Sequence, residues 1–238
     1  MAGGDLHLIL LAGGKGLRAG AAGDVPKQFR PTDRGPLFTV SLNEFLSLEP
    51  GEGFRPADLI LTVPDDWRET AGDALGDLDI PWRLASAGHS RTASTWNAVK
   101  ELEAGFSPRP GDLVAVHDAA RPFASAELLV RLCRAAISGT GAVPGVAVPD
   151  TIVQSDEGTG LYLDRSTLLA VQTPQVFRWE PFRDAHAWAA ETGSDFTDDG
   201  GLLAARGHAP EVVAGEQDNW KVTTNGDWKR AAAQLKSR

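Results

Sequence analysis

The stretch that decides the fold is LHLILLAGGKGLRAG, residues 6–20. Leu6–Leu11 is a short apolar run, which is typical of a strand that is buried on both faces. The glycines that follow allow the backbone to turn sharply and to approach a ligand closely. Their successive N–H groups can surround phosphate oxygens, and the basic residues Lys15, Arg18 and Lys27 would add charge there. A tight turn with solvated basic side chains fits this stretch equally well.

Two known phosphate-binding motifs are excluded for this loop. A P-loop requires Ser or Thr after its lysine, whereas Lys15 is followed by Gly16. The dinucleotide fingerprint G-x-G-x-x-G, counted from Gly14, requires glycine at position 19, where Ala19 stands. Hydride transfer with a nicotinamide cofactor is therefore not supported.

Further along the chain, strand-like and helix-like segments alternate. Apolar runs predict strands at Asp58–Val63, Asp112–Val116 and Ala142–Val148. Helical spacing is found at Pro36–Leu48, Ser94–Leu102, Ser125–Ile137, Pro181–Glu191 and Gly226–Leu235, with Ser94 and Ser125 as N-caps. Two short strands at 151–154 and 160–163 predict a hairpin arm at about 145–175. The alternation predicts a single α/β domain over residues 1–238, built on a mostly parallel sheet.

Composition excludes several classes of protein. The 238 residues carry a formal net charge of −9, the sign opposite to that of a general nucleic-acid binder. The longest aliphatic run, Leu8 to Ala12, is too short for a membrane span, and no basic leader is visible, so we expect a cytoplasmic protein. The single cysteine, Cys133, excludes a disulfide framework and a cysteine-rich zinc site, and the five scattered histidines do not indicate a metal site.

One acidic residue stands where a parallel sheet binds its ligands. Asp118 follows the apolar run DLVAVH, at the carboxyl end of a predicted strand. A carboxylate there suits Mg²⁺ that bridges the phosphates of a nucleotide, because magnesium takes only one or two carboxylates in addition to phosphate oxygens. Arg121 would hold a second anion. Alternatively, Asp118 caps the following segment and pairs with Arg121.

Taken together, the motifs resemble those of the 2-C-methyl-D-erythritol 4-phosphate cytidylyltransferase family. In chain order they are LAGGKGLRAG, PKQF, GHSRTASTWNAV, VHDAARPF, PDTI, DR, QTPQVF, FTDD and DNWKVTT, and they cover roughly residues 6–228. The resemblance implies a Rossmann-like nucleotidyltransferase fold with helices on both faces of the sheet. It also implies a homodimer in which the protruding β-arm completes the partner's site. The implied reaction uses CTP and Mg²⁺, joins CMP to the sugar-alcohol phosphate and releases pyrophosphate.

The same resemblance implies a role for each matching residue. Arg18, Lys27, Arg165 and Lys221 would be catalytic, the first two at the α-phosphate and the leaving pyrophosphate, the others at the acceptor phosphate. CTP would be bound by Ala12, Gly13, Gly14, Lys15, Gly88, Ser94, Asp118 and Ala119, with Asp118 also holding the metal. The acceptor would be surrounded by Arg121, Thr151, Arg165, Thr173 and Lys221.

Some positions depart from the family pattern and leave alternatives open. His89 stands where the family usually has an acidic residue, and Gly13 occurs also in the related ribitol-5-phosphate cytidylyltransferases. Ribitol 5-phosphate or another polyol phosphate is therefore an alternative acceptor. A nucleotide-binding module without catalytic activity is a third hypothesis, although all the proposed catalytic residues are present.

Overall fold

The computed structural model describes residues 4–14, 25–49, 54–76, 78–156 and 158–236. Within these ranges the strands are β1 (Leu6–Leu11), β2 (Pro31–Thr32), β3 (Gly35–Pro36), β4 (Asp58–Val63), β5 (Trp82–Ser86), β6 (Leu113–Asp118), β7 (Gly141–Ala147), β8 (Val153–Asp156), β9 (Thr159–Tyr162), β10 (Leu169–Val171), β11 (Gln175–Arg178) and β12 (Glu211–Ala214). The α-helices are α1 (Leu37–Leu46), α2 (Arg68–Leu75), α3 (Arg91–Phe106), α4 (Ala126–Ser138), α5 (Trp179–Thr192), α6 (Asp199–Ala205) and α7 (Asn225–Lys236).

Eight strands form the central sheet, in the order β10-β7-β11-β6-β1-β4-β5, with β12 also paired to β7. The four strands β6, β1, β4 and β5 are parallel to one another. β11 is antiparallel to both β6 and β7, so its first residues lie beside the carboxyl end of β6. The carboxyl ends of four parallel strands and the start of β11 thus share one edge of the sheet.

The alternation of side chains along β1 explains the layers. Leu8 and Leu10 enter one core, beneath α1, α2 and α4, whereas Ile9 enters the other, beneath α3, α5 and α6. Because successive residues of a strand point to opposite faces, an unbroken apolar run indicates a sheet covered on both sides. The predicted α/β fold, with a mostly parallel sheet and helices on both faces, is confirmed.

Most predicted elements are present, and one predicted cap is wrong. Ser125 does cap its helix by accepting a hydrogen bond from the Leu128 N–H. α3, however, begins three residues earlier than predicted, and its N-cap is Ser90 instead of Ser94. Ser90 has the extended backbone that an N-cap requires, with φ −134° and ψ 175°, and its side chain accepts from the Ala93 N–H.

Within residues 145–175, predicted to form an arm, β8 and β9 pair with each other in a separate two-stranded sheet, whereas β10 pairs with β7 in the central sheet. Leu161 and Tyr162 on β9 are exposed, at 63% and 74% of their surface. The hairpin therefore presents apolar side chains to its surroundings. Among the described residues, we find no helix that is both long and apolar enough to span a membrane.

Candidate active site

A cavity of about 760 Å³ opens at the carboxyl edge of the parallel strands. This size is within the usual range for small-molecule sites. Seven residues assigned to the site from the sequence line it: Gly13, Gly14, Lys27, Gly88, Ser94, Asp118 and Lys221. A second cavity, of about 440 Å³, lies between α1, the start of α4 and residues 216–218, and none of the assigned residues lines it.

The glycine loop is held in place by a buried glutamine that the sequence did not indicate. Gln28 donates hydrogen bonds to the carbonyl oxygens of Ala12 and Gly14, at 2.6 and 2.7 Å. A Cβ on Gly13 would lie 2.6 Å from the Cβ of Ala87, so the close approach of these two segments requires glycine. Lys15 and Arg18 lie outside the described residues.

The segment between β5 and α3 forms the facing wall of the cavity. Gly88 donates its N–H to the Ser94 Oγ at 2.9 Å, and that hydroxyl donates to the Ser90 carbonyl at 2.7 Å. A Cβ on Gly88 would lie 2.6 Å from the Ala93 backbone, so only glycine fits there. His89, the departure from the family pattern, is exposed and also lines the cavity. Ser94 thus shapes this wall of the cavity and does not cap the helix.

Asp118 is the one carboxylate among the described residues that line the cavity, and two cations hold it. Lys221 Nζ lies 2.6 Å from its Oδ2, and Arg91 Nε lies 3.4 Å from its Oδ1. Burial alone would raise the pKa of Asp118, but the charges of Arg91 and Lys221 outweigh burial and hold the pKa well below its usual range. Asp118 is therefore ionised, and its position is fixed.

Arg91 is the most important residue that the sequence analysis missed. Its guanidinium lines the cavity and also pairs with the buried Asp199, at 2.7 Å from Nη2 to Oδ2. Burial alone would lower the pKa of Arg91, but the two carboxylates raise it above its usual value. Its sequence signal was its place in the motif GHSRTASTWNAV, to which the sequence analysis gave no role at this position.

Lys221 reaches the cavity on a segment that buried amides hold against the sheet. Asn219 donates to the Thr173 carbonyl at 2.8 Å, and the Val222 N–H donates to the Ala120 carbonyl at 2.8 Å. Arg121 donates to the Asn219 carbonyl at 2.7 Å. In this chain Arg121 thus supports the segment that carries Lys221, and it does not line the cavity.

Thr173, two residues before β11, has a similar supporting position. Its Oγ1 accepts the Asp118 N–H at 3.0 Å and bonds to the His117 Nδ1 at 3.1 Å. Complete burial, more than any charge, lowers the pKa of His117 to about 4, so this imidazole is neutral near pH 7. Ala12 and Ala119 are buried beneath the cavity floor, where the Ala119 N–H donates to the Leu11 carbonyl.

Thr151 and Arg165 lie apart from this group. Both are exposed, and the Arg165 guanidinium donates to the Pro149 carbonyl at 2.5 Å. Neither lines the cavity of its own chain.

The charges of the cavity suit an anionic ligand. Lys27, Arg91 and Lys221 line it together with Asp118, which leaves an excess of positive charge on a protein whose net charge is −9. Low-dielectric walls strengthen such a local field. Positive side chains, a glycine turn and one carboxylate at a strand end form a set that can bind a polyphosphate, with or without a divalent cation.

Comparison with known proteins identifies relatives over nearly the whole chain. Residues 6–237 match the family described as 2-C-methyl-D-erythritol 4-phosphate cytidylyltransferase. The rice (Oryza sativa subsp. japonica) protein "2-C-methyl-D-erythritol 4-phosphate cytidylyltransferase, chloroplastic" is 32% identical over 225 residues, which are 94% of this chain and 72% of that protein. A "Bifunctional enzyme IspD/IspF" of Rhodopseudomonas palustris (strain HaA2) is 37% identical over 230 residues, 95% of this chain.

The chain spans about half the length of such bifunctional relatives, 54% in the case of the Rhodopseudomonas protein. Among solved structures, the crystal structure of 2-C-methyl-D-erythritol 4-phosphate cytidylyltransferase from Thermus thermophilus has a TM-score of 0.74 and 28% identity. That match covers 98% of this chain and 99% of the Thermus chain.

Proposed function

The chain belongs to the 2-C-methyl-D-erythritol 4-phosphate cytidylyltransferase family, and from this premise we propose that it transfers CMP from CTP to 2-C-methyl-D-erythritol 4-phosphate. Pyrophosphate is the second product, and the reaction belongs to isoprenoid biosynthesis. The observation that carries the proposal is the environment of Asp118. This carboxylate lies between Lys221 and Arg91 in a cavity that also contains the glycine turn and Lys27.

CTP is proposed to lie across the carboxyl edge of β1, β5 and β6. Gly13 and Gly14 allow the triphosphate to approach the backbone, and Lys27 is close enough to the same turn to neutralise it. We assign Lys15 and Arg18 to the triphosphate as well. The cytosine is assigned to the opposite wall, where the Gly88 backbone and the Ser94 hydroxyl already form a fixed hydrogen-bonded unit.

A magnesium ion fits the donors at this site if the nucleotide supplies most of its ligands. No group of three His, Cys, Asp or Glu side chains that could hold a metal occurs among the described residues, so Asp118 would be the protein's main contribution. Mg²⁺ commonly binds through one carboxylate and substrate phosphates. When bound there, the ion would neutralise charge on the triphosphate.

Attack by one phosphate on another needs positioned anions and no covalent nucleophile. An oxygen of the acceptor phosphate forms a bond to the α-phosphorus of CTP, while the bond from that phosphorus to the β-phosphate oxygen breaks. Lys27 and Arg18 would stabilise the negative charge on the leaving pyrophosphate. Lys221 would hold the acceptor phosphate, once its ammonium turns from Asp118 toward the substrate.

We propose a homodimer, because two residues assigned to the acceptor lie on the arm. Thr151 and Arg165 do not line the cavity of their own chain, whereas Leu161 and Tyr162 on the hairpin are exposed. An arm that reached a second copy would bury this apolar surface and bring Thr151 and Arg165 toward the partner's cavity. Arg121 and Thr173, which do not line the cavity, would serve the acceptor side indirectly, Arg121 by holding the segment of Lys221 and Thr173 by holding the Asp118 backbone. A cytoplasmic location stays a prediction.

The test is pyrophosphate release by the purified chain with CTP, Mg²⁺ and 2-C-methyl-D-erythritol 4-phosphate, in parallel with ribitol 5-phosphate. Asp118→Asn is the matched control, because it keeps the side-chain volume and removes the charge. We expect release with the methylerythritol phosphate and its loss in the control. Pyrophosphate release with ribitol 5-phosphate alone would show that ribitol 5-phosphate is the acceptor. CTP binding without any pyrophosphate release would favour a nucleotide-binding module without catalytic activity.

A further inference from the structure

A buried histidine outside the cavity is connected to Asp118 through two other side chains. His186 lies on α5, and no part of its side chain is exposed. Its Nε2 lies 3.1 Å from the Oδ1 of Asp199, the first residue of α6. The other oxygen of Asp199 pairs with Arg91, whose Nε faces Asp118. A continuous series of polar contacts therefore runs from the helical layer to the floor of the cavity.

Each inner member of this series has few other partners. Asp199 is only 1% exposed, and among the described residues its carboxylate forms ion pairs with His186 and Arg91. Burial alone would raise the pKa of Asp199, but Arg91 and His186 lower it to about 2. The carboxylate is thus charged at all physiological pH values, and its orientation depends on these two neighbours.

The geometry indicates what His186 contributes. A carboxylate held only by Arg91 can rotate about its Cβ–Cγ bond and follow the guanidinium. A hydrogen bond from the His186 Nε2–H to Oδ1 removes that freedom and fixes the orientation of Oδ2, which pairs with Arg91. Residues that orient a ligand from outside its contact shell commonly change metal affinity without touching the metal.

We propose that His186 is a positioning residue. It fixes Asp199, which orients Arg91, and Arg91 in turn orients the carboxylate of Asp118. This inference rests on the proposed function in one respect, namely that Asp118 binds the cation that accompanies CTP. His186 itself touches neither the cavity nor the substrates.

A purely structural role for His186 makes a different prediction. Its ring packs on Phe182 at 4.6 Å between centroids and helps to join α5 to the core. If packing were its only role, substitutions would lower thermal stability and leave the magnesium dependence of the site unchanged. The two roles are therefore separated by a metal titration, not by a stability measurement.

The experiment compares H186Q with H186N in the full chain. Both variants introduce a side-chain amide, but only the longer glutamine side chain can place its amide at the position of the histidine Nε2. L102A, in the same core layer on α3 and fully buried, is the control for loss of packing alone. The readouts are the Mg²⁺ concentration that gives half-maximal activity, and calorimetric binding of CTP with and without Mg²⁺.

We expect H186N to raise the half-saturating Mg²⁺ concentration roughly 3- to 10-fold, and to weaken Mg²⁺-dependent CTP binding similarly. H186Q should stay within about twofold of the parent, and L102A should lose stability without this effect. In addition, the half-saturating Mg²⁺ concentration of the double variant H186N/D199N should be no higher than that of D199N alone, since the histidine acts through that carboxylate.

Wild-type Mg²⁺ dependence in H186N, or an equal effect in L102A, would overturn the inference. A failure of the proposed function is recognised separately, because the unmodified chain would then release no pyrophosphate. The calorimetric comparison would still show whether His186 affects the cation and nucleotide.

Discussion

His7→Leu tests whether a buried charge cluster joins three strands at the edge of the sheet opposite the cavity. His7 on β1 lies 2.7 Å from the Asp58 Oδ2 at the start of β4, and 3.4 Å from the Asp112 Oδ2 just before β6. All three residues are at most 4% exposed. Burial alone would lower the pKa of His7, but the two carboxylates raise it above 6.5. His7 therefore bridges the two carboxylates, and the folded protein favours its protonated form more than the unfolded chain does.

The size of the effect follows from what the substitution leaves behind. Asp112 keeps two backbone hydrogen bonds, from the N–H groups of Asp5 and Arg109. Asp58 loses the side chain that its Oδ2 contacts, and its Oδ1 has no hydrogen-bond partner among the described residues. Removal of one partner from a buried ion pair costs about 3–5 kcal/mol. For a chain of this length, that loss lowers the melting temperature by roughly 6–20 °C.

Thermal and urea unfolding between pH 5 and 9 is the assay, with His7→Leu/Asp58→Leu as the matched double variant. The double variant should recover part of the loss, because the unpaired carboxylate is gone. Since folding raises the pKa of His7, its stabilisation is complete below pH 6.5 and declines as the pH rises through the folded-state pKa. A single variant within about 1 kcal/mol of the parent, or a deficit that does not change with pH, would refute this reasoning.

Three further predictions concern the cavity, the arm and the core. Lys221→Met should lower kcat/KM by about 10²–10³-fold with an almost unchanged melting temperature, since the side chain is 42% exposed; a retained kcat/KM would contradict its role. Replacing Leu161 and Tyr162 by serine should shift the chain to monomers in sedimentation velocity, and an unchanged dimer would exclude the hairpin as the contact. Burial raises the pKa of the Cys133 thiol to about 12. A thiol reagent should therefore label Cys133 only at the rate of unfolding. Rapid labelling of the native chain would show that α4 packs differently.

The sequence was sufficient to predict the elements whose signals are local. The apolar residues 8–11 of β1 predict a central strand, and Ser125 marks the start of α4 through its side chain alone. β5 was missed because its residues are mostly partly exposed and form no apolar run, and β12 because it is an exposed edge strand. β5 joins the sheet by pairing with β4, and β12 by pairing with β7. Such pairing between distant segments cannot be predicted from either segment alone.

In the candidate site, too, residues in local sequence motifs were predicted, whereas a residue that depends on distant contacts was not. Gly13, Lys27, Asp118 and Lys221 stand in recognisable motifs, and the fold brings them to one cavity. The role of Arg91 was not predicted, since its partner Asp199 is more than 100 residues away and comes near it only through the packing of α3 on α5 and of α5 on α6. The motif GHSRTASTWNAV contains Arg91, but the motif alone does not show that this side chain joins Asp118 to Asp199.

The most direct test of the account is to identify the products by phosphorus NMR when the chain is mixed with CTP, Mg²⁺ and 2-C-methyl-D-erythritol 4-phosphate. The account predicts pyrophosphate and an equal amount of a diphosphate diester, in which the acceptor phosphorus is joined to the former α-phosphorus of CTP. Free CMP, or CDP with inorganic phosphate, would instead reveal a nucleotide hydrolase and contradict the transfer of CMP to the acceptor.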